Sequence, residues 1–62
     1  MNAVIEEAKR FYNAKEVASR LGVSETTGYR IIKKLNDELK EKGYIVVPGK
    51  ISIRYFEEKV YI

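Results

Sequence analysis

A small α+β fold, mostly helical, built as a helix-turn-helix with a β-hairpin wing, is what this sequence predicts on three observations. Two helical patterns meet at a glycine inside the stretch from Asn13 to Lys34, NAKEVASRLGVSETTGYRIIKK. The dipeptide Pro48-Gly49 divides a β-branched and aromatic run, Tyr44–Val47, from Lys50–Ile53, which alternates polar with apolar. At 62 residues the chain has room for one core, near the lower limit for folding without staples. The expectation is a single domain over residues 1–62, with three helices, the hairpin and a short C-terminal helix.

The composition removes whole classes of function. There is no cysteine and no histidine, so disulfides, thiolate or imidazole metal sites and histidine acid–base catalysis are excluded. Neither a phosphate-binding glycine loop nor a carboxylate pair with a nucleophile is present, so no catalytic residue, metal or cofactor is expected. No apolar run approaches the ~20 residues a membrane span needs. The N-terminus lacks a signal peptide's basic start and apolar stretch, which points to a cytoplasmic, nucleoid-associated protein.

In chain order, residues 2–12 read as an amphipathic first helix, with Val4, Ile5, Ala8, Phe11 and Tyr12 on one side and Glu6, Lys9 and Arg10 on the other. Asn13 ends it and caps the next, with Glu16 completing a variant capping box and Tyr12 and Val17 a hydrophobic staple. Ala14, Val17, Ala18 and Leu21 then recur at helical spacing until Gly22 breaks the run. Ser24 caps a third helix that runs to about Lys42, with Glu25 in its positive first turn and Gly43 closing it.

A step of 100° per residue puts Gly28, Ile31, Ile32, Leu35 and Leu39 inward and Thr26, Arg30 and Lys33 outward, flanked by Thr27, Tyr29 and Lys34. Gly28 costs this helix about 1 kcal/mol relative to alanine. Close packing against Ala18 explains it better than flexibility on docking does. Beyond it, a loop of Pro48-Gly49 alone would pair Tyr44–Val47 with Lys50–Ile53, turning Tyr44, Val46, Ile51 and Ile53 inward. Proline-glycine favours a type II turn, which fits hairpin twist less well than the primed turns. Residues 53–60 return to helical spacing, with Ile53, Phe56 and Val60 on one face and Ser52 as cap, so a terminal helix is preferred to a third strand. Tyr55, Tyr61 and Ile62 receive no burial site.

The net charge of +3 is modest, but it is unevenly placed. Acids and bases balance as far as Glu25, whereas Thr26–Asn36 and Lys42–Phe56 contain bases and no acid. A basic stripe that coincides with a helix-turn-helix is the footprint of a nucleic-acid binder. Asp37, Glu38 and Glu41 would repel phosphates, so contacts should end near Lys34. The turns beyond should serve the core or a partner.

The segments AKEVASRLGVSETTGYRIIKKLNDELKEKGY and VVPGKISIRYFEEKVY resemble the small winged-helix, excisionase-like DNA-binding proteins of bacterial phages, plasmids and integrative conjugative elements. The resemblance covers about residues 11–61. It is carried by Ala18, Leu21 and Gly22, by Tyr29, Arg30 and Ile31, and by Gly49-Lys50-Ile51 with Tyr55-Phe56-Glu57-Glu58-Lys59. Gly28 stands where such helices more often have alanine. The resemblance implies a non-enzymatic, sequence-specific binder of double-stranded DNA, with helix 24–42 in the major groove and hairpin 44–53 as the wing.

On that reading Arg30 suits a guanine edge, worth about 1–3 kcal/mol of discrimination. Thr26 and Thr27 reach thymine methyls or phosphates, and Tyr29 a backbone oxygen. Glu25 accepts from a cytosine amine or, preferably, serves the helix dipole. The base-facing set is Thr26, Thr27, Tyr29, Arg30 and Lys33. The backbone-facing set is Lys15, Ser24, Lys34, Lys50 and Arg54. An excisionase-like recombination directionality factor would bind repeated sites beside an integrase. A dimeric transcriptional repressor, with a second protomer, would bind a palindrome. A winged helix used only for protein contact is the third alternative.

Overall fold

The computed structural model describes residues 9–60. Its elements are β1 (Phe11–Asn13), α1 (Ala14–Leu21), α2 (Glu25–Glu41), β2 (Lys50–Ser52) and α3 (Ile53–Lys59). The architecture is the mostly helical α+β class, a winged helix-turn-helix with three helices and a two-stranded antiparallel sheet among the described residues.

Two expectations are corrected. The first helix does not reach Tyr12: residues 9–10 are not helical, Phe11–Asn13 is a strand, and the rest of that expectation, residues 2–8, lies outside the described residues. The reason is local. Asn13 must be extended to cap α1, with φ −94° and ψ 177°, which takes the chain before it out of helical geometry. Alternation then buries Tyr12 between exposed Phe11 and Asn13.

The second correction concerns the wing. Residues 44–47 form no ladder with Lys50–Ile53; β2 pairs instead with β1, placing Phe11 opposite Ser52, Tyr12 opposite Ile51 and Asn13 opposite Lys50. The turn itself is where the sequence puts it. The Lys50 amide donates to the Val47 carbonyl at 3.0 Å, and Gly49 has φ +80°, the backbone a type II turn requires after proline. Such a turn twists against a two-residue hairpin, so the arms splay and β2 finds its partner across the molecule. Tyr44 and Ile45, expected in a ladder, are 61% and 96% exposed.

Both helix joints follow their capping chemistry. Asn13 Oδ1 accepts from the Glu16 amide at 2.8 Å, and Glu16 Oε1 accepts from the Asn13 amide at 2.9 Å, a reciprocal box. At the far end of α2, the Tyr44 amide donates to the Leu39 carbonyl and the Gly43 amide to the Lys40 carbonyl, the paired bonds of a Schellman stop.

The core is Tyr12, Ala14, Val17, Ile32, Leu35, Ile51, Tyr55 and Phe56, with Leu21, Ile31, Leu39, Ile53 and Val60 packed around it. Tyr12 meets Phe56 edge to face, ring centroids 5.5 Å apart. Phe56 and Val60 bury the expected face of α3, and Ser52 Oγ accepts from the Tyr55 amide as its cap.

Gly28 shows why α2 can cross α1 where it does. A Cβ there would stand 2.6 Å from the Ala14 carbonyl oxygen and 3.3 Å from the Ala18 nitrogen. The packing explanation therefore applies, with Ala14 as the tighter contact.

Candidate nucleic-acid interface

The candidate interface residues cluster on the first three turns of α2. Ser24 starts them: its Oγ accepts from the Thr27 amide at 3.2 Å and donates to Thr27 Oγ1 at 3.0 Å. Ser24 and Thr27 thus brace each other at the helix mouth, and the Thr27 hydroxyl proton remains able to donate outward. Thr26, Tyr29, Arg30, Lys33 and Lys34 are exposed, while Thr27 is half-buried. Lys33 pairs with Asp37 at 3.5 Å across one turn. An exposed pair of this kind is worth a few tenths of a kcal/mol, so Lys33 can leave it at little cost.

The wing turn closes over this surface from one side. Tyr29, Ile32, Lys33, Asn36, Asp37 and Lys40 of α2 line one wall of a shallow cleft, and Val46, Pro48 and Gly49 line the other. Lys50 follows the turn and is exposed, opposite Asn13 in the sheet. Lys15, exposed in the first turn of α1, follows Asn13 by two residues. Arg54 is placed elsewhere. It borders a groove with Phe11, Lys42, Tyr44 and Ile45. Lys42 lies thirteen residues beyond Tyr29, about 20 Å along the helix axis.

Electrostatics separate the two halves of α2. In the distal half, the Tyr55 hydroxyl donates to Glu38 Oε1 at 2.7 Å. Lys59 stands 3.8 Å from the same carboxylate, and Lys42 lies over the Tyr55 ring at 5.1 Å. The hydroxyl holds the Glu38 carboxyl below its ordinary range, helped by the nearby lysines, and the carboxylate holds the Tyr55 phenol above its own. Tyr55, without an assigned place in the sequence, is buried and ties α3 to α2. Away from α2, on α1, Glu16 bonds to Lys9, and this bond with the Asn13 amide lowers the Glu16 carboxyl.

One residue lining the cleft escapes a reading by polarity. Asn36 is buried, and its Nδ2 donates to the Lys50 carbonyl at 2.9 Å and the Val47 carbonyl at 3.2 Å. Its position, four residues after Ile32 and three before Leu39, is the signal: an uncharged amide on the flank of a core-facing stripe.

Among the described residues no helix is long and apolar enough to cross a membrane. Residues 3–56 match the family model of the Mga helix-turn-helix domain. The ICEBs1 excisionase of Bacillus subtilis (strain 168) is 44% identical over 48 residues, covering 77% of this chain and 75% of that protein. No solved structure matches the chain. With two helices meeting at Gly22, a wing turn beside the second, and these two relationships spanning most of its length, the chain belongs to the Mga helix-turn-helix family and is an excisionase-like DNA-binding protein.

Proposed function

We propose that the protein acts without catalysis of its own, as a recombination directionality factor that sets its α2 N-terminal turns in the major groove. The observation that carries this reading is the outward face from Thr26 to Lys34, free of acids and flanked by the wing turn. Arg30 reads a guanine edge, with Thr26, Thr27, Tyr29 and Lys33 as its neighbours on the bases. Ser24, Lys34, Lys15 and Lys50 hold phosphates and fix register without reading sequence. Arg54 is the outlying member of the set, reaching backbone only if DNA bends toward the far end of α2. The partner would be an integrase bound beside it. A second protomer on a palindrome is the repressor alternative.

Footprinting on the DNA of the host element tests this. Protection of tandem repeats beside an integrase site supports the directionality role, a single palindrome supports the repressor, and no protection sinks DNA recognition altogether. Binding should also weaken steeply with salt, with a log–log slope of about −4 to −5 for ~4–6 neutralised phosphates.

A further inference from the structure

We infer that Asn36 is a positioning residue for the wing, setting where Lys50 stands relative to the recognition turns of α2. The inference rests on the proposal that Lys50 touches DNA backbone. The arm from Tyr44 to Val47 has no strand partner among the described residues, and Tyr44, Ile45 and Val47 are exposed. Little packing therefore orients it. Its start is held by the Tyr44 amide on the Leu39 carbonyl, and its far end, at the turn, is tied to α2 by the Asn36 side chain. The Asn36 amide nitrogen donates to the carbonyls of Val47 and Lys50, the first and last residues of the turn.

Both neighbours are carbonyls, so the amide must turn its nitrogen toward them. The two N–H bonds of one planar group diverge at a fixed angle. They therefore set the two ends of the turn relative to each other and to α2, where the Lys50 to Val47 bond sets only the turn's closure. Asn36 also stands between the two surfaces it would align. It lines the cleft with Tyr29 and Lys33 on its own helix and with Pro48 and Gly49 across from them. An apolar residue would fill the same volume. The amide is needed to orient the turn.

A purely structural asparagine and a positioning one differ in what their loss does to DNA binding. The test compares wild type, Asn36→Leu, Lys50→Ala and the double variant on a footprinted site, on its single-base variants and on unrelated duplex, across a salt series. Asn36→Leu should weaken binding to all sequences several-fold and reduce the salt slope by about 1, as Lys50→Ala does. Discrimination among single-base variants should be unchanged. The double variant should be no weaker than Asn36→Leu alone, because a lysine out of place has no contact left to lose.

If Lys50→Ala weakens binding while folded Asn36→Leu binds like wild type, or if the two losses simply add, the positioning role is overturned. If Lys50→Ala changes nothing, the DNA-touching wing itself fails and the inference falls with it. Nuclear magnetic resonance of the wild type comes next should Asn36→Leu not fold. Asn36 side-chain amide protons exchanging at solvent rates overturn the clamp; where they are protected, Asn36→Ala replaces Asn36→Leu in the same binding series, with non-additivity with Lys50→Ala as the supporting result and simple addition as the contradicting one.

Discussion

The two halves of α2 share one helix and one inward stripe, yet their outward faces are put to opposite uses. From Thr26 to Lys34 the polar side chains other than half-buried Thr27 are exposed and carry no acid, and Tyr29 and Lys33 lie beside the wing turn. From Leu35 to Glu41 the acids return, and Glu38 is bound by the Tyr55 hydroxyl and approached by Lys59. In the sequence Glu38 is a repulsive charge that limits DNA contact. In the structure it is also an anchor for α3. The difference teaches that charge on a helix face has to be read together with what covers that face.

The comparison breaks most severely in the distal half. Leu35 is buried in the core, and Leu35→Ala should cost about 2–5 kcal/mol, enough to unfold so small a domain. Urea denaturation followed by circular dichroism checks this. A loss below about 1 kcal/mol would mean that the core under the wing is looser than described.

Gly28→Ala sharpens the inner face. Helix propensity alone would make alanine better by about 1 kcal/mol. The Ala14 carbonyl stands 2.6 Å from the new Cβ, so backbone must shift, at about 1–3 kcal/mol. The expected result is a net loss of stability in thermal melting. A gain would show that α1 and α2 cross further apart.

The smallest effect is in pH dependence. Glu38, held below its ordinary 4.5, contributes stability that is present above that pH and lost as pH falls through and below it. Tyr55, held above its ordinary 10.0, contributes stability that is present below that pH and lost as pH rises past it. Tyr55→Phe should therefore flatten both limbs of a melting-temperature profile, leaving an acid limb from Glu16, which is lowered by Lys9 and the Asn13 amide. An alkaline limb unchanged by Tyr55→Phe would contradict the bond between the phenol and Glu38.

What the sequence made legible was local. The Asn13 box, the Ser24 cap, the stop at Gly43 and the inward stripe of α2 each depend on residues a few positions apart. The ladder was not legible, because Tyr12 and Ile51 are far apart in the chain and a three-residue strand carries almost no periodic signal. Phe11 and Tyr12 also continue the helical spacing of Val4, Ile5 and Ala8, so one pattern served two structures. Of the candidate interface, the outward residues of α2 could be read from a 100° step alone. Asn36 could not, because its partners are carbonyls of a turn whose path no residue pattern fixes.

The central claim is that the proximal half of α2 reads bases, and Arg30 tests it most directly. Arg30 is the one arginine between Glu25 and Asp37, exposed, and five residues before buried Leu35 on the opposite side of the helix. The measurement is binding of wild type, Arg30→Lys and Arg30→Ala to the footprinted site and to each single-base variant. Arg30→Lys should keep most of the phosphate attraction and lose about 1–3 kcal/mol of discrimination at one base pair, since an ammonium cannot make the bidentate guanine contact. Arg30→Ala should lose both. Full discrimination by Arg30→Lys at every position would contradict the claim and make Arg30 a backbone anchor.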